Sequence, residues 1–171
     1  MDRYLTVSET YLWDEQTDEL IDRNTMKRFP ASSFDMKVNV YETRVREWFL
    51  DVAVGHVSKG EAPGDYAALS IALAYIEGVE QYRRGKKSPS NQSGNWFRAS
   101  AERIFPCVSK EAINRLWMEA RCGLFHTGFT DGPTYLSQSA AQAMEINQGE
   151  LLINPHKFVE ATVSDFGKYV D

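Results

Sequence analysis

Apolar residues recur at helical spacing through most of this chain. Tyr41, Val45, Trp48 and Val52 stand four, three and four apart, Phe49 and Ala53 widen the stripe, and His56 continues it. That periodicity predicts a long amphipathic helix. Arg44, Arg46, Glu47 and Asp51 fall mostly outside the stripe. Lys59-Gly60-Glu61-Ala62-Pro63-Gly64 stops the helix, and Asp65 is placed to cap the next one. From Tyr66 to Tyr82 the pattern is apolar on nearly every side, with Leu69, Ile71, Leu73, Ile76 and Val79, which predicts a central helix. Its rare acids, Glu77 and Glu80, therefore stand out. Arg83-Arg84-Gly85-Lys86-Lys87 ends it, and a polar loop runs to Gly94. A shorter helix is predicted from about Trp96 to Ile104, stopped by Pro106. Ser109 can cap the helix that follows. Its stripe is Ile113, Leu116, Trp117, Ala120 and Leu124, and Thr127-Gly128 supplies the stop.

The two ends differ from this middle. Before Pro30, the acids Glu9, Asp14, Glu15, Asp18 and Glu19 follow Ser8, with Leu12, Trp13 and Leu20 as packing residues. This predicts one short helix, closed by Pro30-Ala31-Ser32-Ser33. After Thr130-Asp131-Gly132-Pro133, the runs Met144-Glu145-Ile146 and Leu151-Leu152-Ile153 flank Asn147-Gln148-Gly149 and predict a hairpin. Asn154-Pro155 reads as N-cap and first helical residue. Val159, Val163, Phe166 and Val170 then trace a closing helix.

Composition narrows the partners. Of 171 residues, 43% are hydrophobic and 25% charged, as in an ordinary globular protein. A formal net charge of −5 argues against broad, non-specific nucleic-acid binding, though a local basic groove remains open. No apolar run reaches the roughly 20 residues of a membrane span, so no membrane partner is expected. Met1-Asp2-Arg3-Tyr4-Leu5 lacks the layout of a signal peptide, and Cys107 and Cys122 fit reduced thiols. These features lead to the expectation of a cytoplasmic protein. Phosphate-loop, Gly-x-Ser-x-Gly and His-Glu-x-x-His signatures are absent.

Chemistry concentrates in Glu119-Ala120-Arg121-Cys122-Gly123-Leu124-Phe125-His126-Thr127-Gly128. An arginine holds phosphate with a fixed charge and a forked geometry. A histidine can take or give a proton near neutral pH. This motif, with the helix Ala74–Tyr82 before it, the basic loop and a linking helix, resembles the HEPN superfamily, whose mark is Arg, four to six residues, then His. The resemblance spans roughly residues 36–128. It implies an all-α fold: an up-and-down helical bundle with a small C-terminal β-hairpin and closing helix. It also implies a single HEPN-like domain over residues 1–171, with 1–34 as an N-terminal extension, 35–128 as the core bundle and 129–171 as hairpin plus last helix.

Many HEPN proteins are metal-independent ribonucleases that dimerise to build one cleft. The resemblance therefore implies Arg121 and His126 as the catalytic pair, a homodimer, RNA as substrate, no cofactor, and a toxin or defence role with a neutralising protein partner. Catalytic motifs of that family usually carry a polar residue, often Asn, directly after the arginine; here Cys122 stands there. Cleavage and non-catalytic RNA, nucleotide or protein binding therefore both stay open. Residues five apart also lie about 140° apart around a straight helix, so Arg121 and His126 converge only if the helix loosens, for instance at Gly123, or if a second subunit completes the site.

Other residues carry two readings each. Glu77 and Glu80 can orient Arg121 across the helix pair or make ordinary ion pairs. Arg83, Arg84, Lys86, Lys87 and Arg98, with Trp96 and Phe97 between, can contact phosphates and stack bases, or simply solvate a helix end. Cys122 and His126 share a helix face at metal-ligand spacing, but two ligands do not make a site and no metal is expected.

Overall fold

The computed structural model describes residues 4–60 and 62–170. The start of the N-terminal stretch and loop position Glu61 lie outside them. The chain divides into two compact units, Met1–Val52 and Ala53–Asp171.

The first unit corrects the all-α expectation. In place of one short helix, four strands form an antiparallel meander in the order β1-β2-β3-β4: β1 (Tyr4–Thr6), β2 (Tyr11–Asp14), β3 (Glu19–Asp22) and β4 (Arg28–Pro30). The misleading signal is the run Asp14, Glu15, Asp18 and Glu19, which looks like an acidic helix face. Asp14 and Asp22 instead end β2 and β3 with side chains that close the turns after them, and Asp18 lies in the turn between the two strands. Asp14 Oδ1 accepts from the Gln16 N–H at 3.0 Å, and Asp22 Oδ1 accepts from Asn24 and Thr25 at 2.8 and 3.0 Å. Asp18 sits at φ 52°, a left-handed geometry that Asp tolerates better than most residues. Between these turns, Tyr11-Leu12-Trp13 and Leu20-Ile21 have the aromatic and branched character of strands. Leu20 and Ile21 are buried, at 5% and 3% exposure.

The long helix expected next is present, with an irregularity. α1 (Phe34–Val45) passes through a wide π-turn at Arg46–Leu50 into α2 (Asp51–Val57). Ser33 caps it by accepting from the Met36 N–H. A π-turn inserts an extra residue and re-aims everything beyond it. The expected stripe is accordingly displaced. Trp48, Phe49 and Val52 are 37–41% exposed, while Leu50, Ala53 and Val57 are buried.

The second unit is built on α3 (Ala62–Arg84), which packs against α4 (Ser93–Ile104) and α7 (Pro155–Val170). Its centrality follows from its apolar circumference: Leu69, Leu73 and Ile76 have no exposed surface. α3 starts at Ala62, so Asp65 lies in its first turn rather than at its cap. Ser109 caps α5 (Lys110–Arg115), accepting from the Ala112 N–H at 3.2 Å. A second π-turn, Leu116–Arg121, leads into α6 (Cys122–Thr127). Gly128 ends that run at φ 83°, a left-handed stop for which glycine carries no steric cost.

The C-terminal hairpin is present as β6 (Met144–Asn147) and β7 (Glu150–Ile153), joined through Gln148 and Gly149, both at positive φ. A third strand, β5 (Thr134–Leu136), pairs parallel with β7, giving the order β5-β7-β6. Asn154 then caps α7, with Oδ1 accepting from the Lys157 N–H at 3.1 Å. Two sheets and seven strands make the described chain mixed α and β, not all-α. The core of this unit joins Phe97, Ile113, Leu116, Leu151, Phe158 and Phe166, with Phe105 against Phe158 at 4.7 Å between ring centroids.

Candidate functional site

Arg121 closes the second π-turn. Its Nε and Nη2 both donate to Glu77 Oε2 on α3, at 3.0 and 2.7 Å. Trp117 and Phe125, four residues before and after it, contribute rings whose centroids lie 4.8 and 4.9 Å from the guanidinium carbon. The spacing of four places such groups on one face of a helical run. Arg121 is thus fixed by a carboxylate and two rings, while Nη1 makes no hydrogen bond within the described residues. About a fifth of its side chain is exposed. Apolar periodicity marks Trp117 only as core; the 117, 121, 125 spacing is the signal for this second role.

His126 lies on the exposed last turn of α6. No hydrogen bond, ion pair or ring contact joins it to Arg121 or to any other described residue. The loosening expected at Gly123 lies just before it, in the turn ending at Arg121. Gly123 instead makes room for the returning chain. A Cβ there would come within 2.6 Å of the Phe129 carbonyl oxygen and 2.8 Å of the Asp131 nitrogen. Only glycine lets the chain fold back onto α6. That return is pinned by the Asp131 N–H donating to the Glu119 carbonyl at 2.7 Å. Arg115 holds the same corner, donating to both Glu119 oxygens at 2.8 Å and to the carbonyls of Pro133 and Gly149 at 2.9 Å. The Arg115 guanidinium, helped by the Thr134 hydroxyl, keeps the Glu119 carboxyl below the usual range although burial pushes the other way.

Glu80 does not reach Arg121. It accepts from Arg84 Nε at 2.7 Å and lies 3.9 Å from Arg103. Arg103 in turn pairs with Asp165 of α7, which also accepts from the Tyr75 hydroxyl at 2.9 Å.

The five basic residues separate in the same way. Arg83 lies over the Tyr169 ring at 4.8 Å and 4.0 Å from Asp165. Arg84 lies over Trp96 at 4.6 Å. Arg98 donates to Asn114 at 2.7 Å. Among the described residues Lys86 and Lys87 have no such partner, and they line an open cavity of about 480 Å³ with Gly78, Gln81, Tyr82 and Gly85. Phe97 is fully buried and Trp96 is 7% exposed, so neither offers a face to a base.

Among the described residues, no group of three or more His, Cys, Asp or Glu has metal-binding geometry. Cys107 and Cys122 are free thiols. No helix of the described chain is long and apolar enough to cross a membrane. No protein-family model, curated protein or solved structure matches the chain.

Proposed function

We propose that this chain is an RNA-acting, HEPN-like protein, a metal-independent endoribonuclease in which Arg121 and His126 form half of a site that a second copy completes. One observation carries the reading. Glu77, Trp117 and Phe125 hold the Arg121 guanidinium in a fixed pose with Nη1 unspent, close along the chain to an exposed histidine without a partner among the described residues. A donor held in advance stabilises developing phosphorane charge without reorganising during the reaction. One imidazole takes the proton of the RNA 2′-hydroxyl as that oxygen attacks phosphorus. Another protonates the 5′-oxygen as its bond to phosphorus breaks. A single chain supplies one such histidine, so two copies supply base and acid. Met118 and Phe125, 59% and 51% exposed, flank Arg121 on the helix and suit a dimer contact. Lys86 and Lys87 would steer the RNA backbone. The same reading places the protein in the cytoplasm, in a toxin or defence role with a neutralising protein partner.

The test is incubation with mixed RNAs in chelator. Wild type should cut and leave 2′,3′-cyclic phosphate ends, and His126→Ala should lose about 10²- to 10⁴-fold in rate with an unchanged circular dichroism spectrum. Unchanged cleavage by purified His126→Ala removes this histidine from the mechanism. The second reading is a non-catalytic homodimeric module binding RNA, a nucleotide or a protein. It is favoured by the neutralisation of Arg121 by Glu77 and by Cys122 in place of a polar neighbour. RNA binding without cleavage, weakened in Lys86→Ala/Lys87→Ala with a salt slope lowered by about 0.7 per lost charge, selects it.

A further inference from the structure

A buried carboxylate far along α3 from Glu77 is only half satisfied. Asp65, in the first turn, is 5% exposed. Its Oδ2 accepts from the Gln138 side-chain amide at 2.9 Å. Its Oδ1 has less than 1 Å² of accessible surface and no hydrogen-bond partner among the described residues. A buried charged acceptor left unpaired is costly, so a donor that reaches Asp65 is favoured there.

Asp65 lines a cavity of about 310 Å³ with Gln138, Asn154, His156, Lys157 and Glu160. The nearby donors are committed elsewhere. Lys157 Nζ donates to the carbonyls of Ala140 and Ala141 at 3.1 and 2.6 Å. The Asn154 amide donates to the carbonyls of Gln138 and Ala140 at 2.9 and 3.0 Å. His156 Nδ1 lies 3.3 Å from Glu160 Oε1. What the cavity lacks is a free donor, and its two carboxylates outnumber the single ammonium, Lys157, which is turned onto main-chain carbonyls. The His, Asp and Glu here do not form a metal-binding group.

We infer that this cavity binds a small organic cation through a primary ammonium or guanidinium group, with Asp65 as the buried anchor and Glu160 as the outer charge. Gln138 is exposed, so its amide can swing aside and let the incoming donor reach the carboxylate. The volume sits at the lower end for small-molecule pockets, which suits a short alkyl chain. The site involves neither Arg121 nor His126, so its fate is independent of the ribonuclease reading.

The probes are agmatine, putrescine and, as a neutral control of similar length, 1,4-butanediol, titrated into the full chain by NMR. The cations should shift the Gln138 and Asn154 side-chain amide signals saturably, and the diol should not. Asp65→Asn should weaken cation binding about tenfold or more, and Glu160→Gln less. An arginine-containing tripeptide separates a free cation from a peptide side chain: tighter binding by the tripeptide assigns the same pocket to peptide recognition. If neither cation moves those signals in wild type, or if the diol binds equally well, the proposal fails. Wild-type protein decides this even if Asp65→Asn does not fold.

Discussion

Glu77 and Glu80 stand three residues apart on the same face of α3, yet they serve different arrangements. Glu80 belongs to a closed network: Arg84 and Arg103 on its oxygens, Arg103 on to Asp165, and Asp165 receiving Tyr75. It ties α3, α4 and α7 together at 8% exposure. Glu77 belongs to an open one. It holds Arg121 by two donors and leaves the rest of the guanidinium unused. The first arrangement interlocks several ion pairs across three helices, and the second is a single ion pair that leaves Nη1 without a partner among the described residues. The largest effect should therefore come from the closed network. Asp165→Ala leaves Arg103 and the Tyr75 hydroxyl without this shared acceptor and should cost about 3 kcal/mol in urea unfolding, with RNA binding per folded molecule unchanged. A loss below about 1 kcal/mol would show that the network is dispensable to the fold.

The open site rests on backbone fit more than on charge. Gly123→Ala would press a methyl group against the Phe129 carbonyl oxygen and the Asp131 nitrogen, both main-chain atoms that cannot swing away. About 2 kcal/mol of destabilisation is expected, with weaker packing of residues 128–131 over α6 seen by hydrogen exchange. Wild-type protection there would mean the return loop yields without cost. Glu77→Gln should be milder, under about 1 kcal/mol, because the pair is partly solvated. Its signature is different: Arg121 loses its charged anchor, so RNA cleavage or binding should change more than stability does. The reverse ranking would make Glu77 and Glu80 equivalent after all.

How much of this is legible in the sequence follows from range. The helices at 62–84, 93–104 and 110–127 are readable, because apolar periodicity and caps such as Ser109 are local signals. The hairpin is readable from Gln148-Gly149 between two apolar runs. The N-terminal sheet is hidden because Asp14, Glu15, Asp18 and Glu19 mimic an acidic helix face, and the turn-closing roles of Asp14 and Asp22 show only in hydrogen bonds from the backbone. The displacement of the Tyr41–Val52 stripe is invisible because a π-turn leaves no mark in apolar spacing. β5 is hidden because its partner, β7, lies well downstream and pairs parallel. At the site, Glu77 can be paired with Arg121 on the two-helix pattern, but choosing it over Glu80 requires three-dimensional phase. Asp65 reads as a cap because the Pro63-Gly64 pair resembles a loop, whereas α3 already begins at Ala62.

A contrast between a fully engaged and a partly engaged arginine stands within one helical run. Arg115 spends its donors on Glu119 and two carbonyls; Arg121, six residues on, does not. The Glu119 carboxyl is held below its ordinary value near 4.5, chiefly by Arg115. A depressed acid contributes stability that is present above the unfolded value and lost as pH falls through the folded one. Wild type should therefore lose this contribution in the acid window that opens as pH falls below the ordinary glutamate value near 4.5. Glu119→Gln should destabilise most at neutral pH, by a modest amount, and the difference in urea midpoint should shrink toward zero across that window. The carboxamide still accepts a hydrogen bond but gains nothing from deprotonation. A difference that stays constant across the window would mean that Glu119 acts by shape alone. Arg115 would then be holding the corner through the Pro133 and Gly149 carbonyls, and the charge contrast between the two arginines would dissolve.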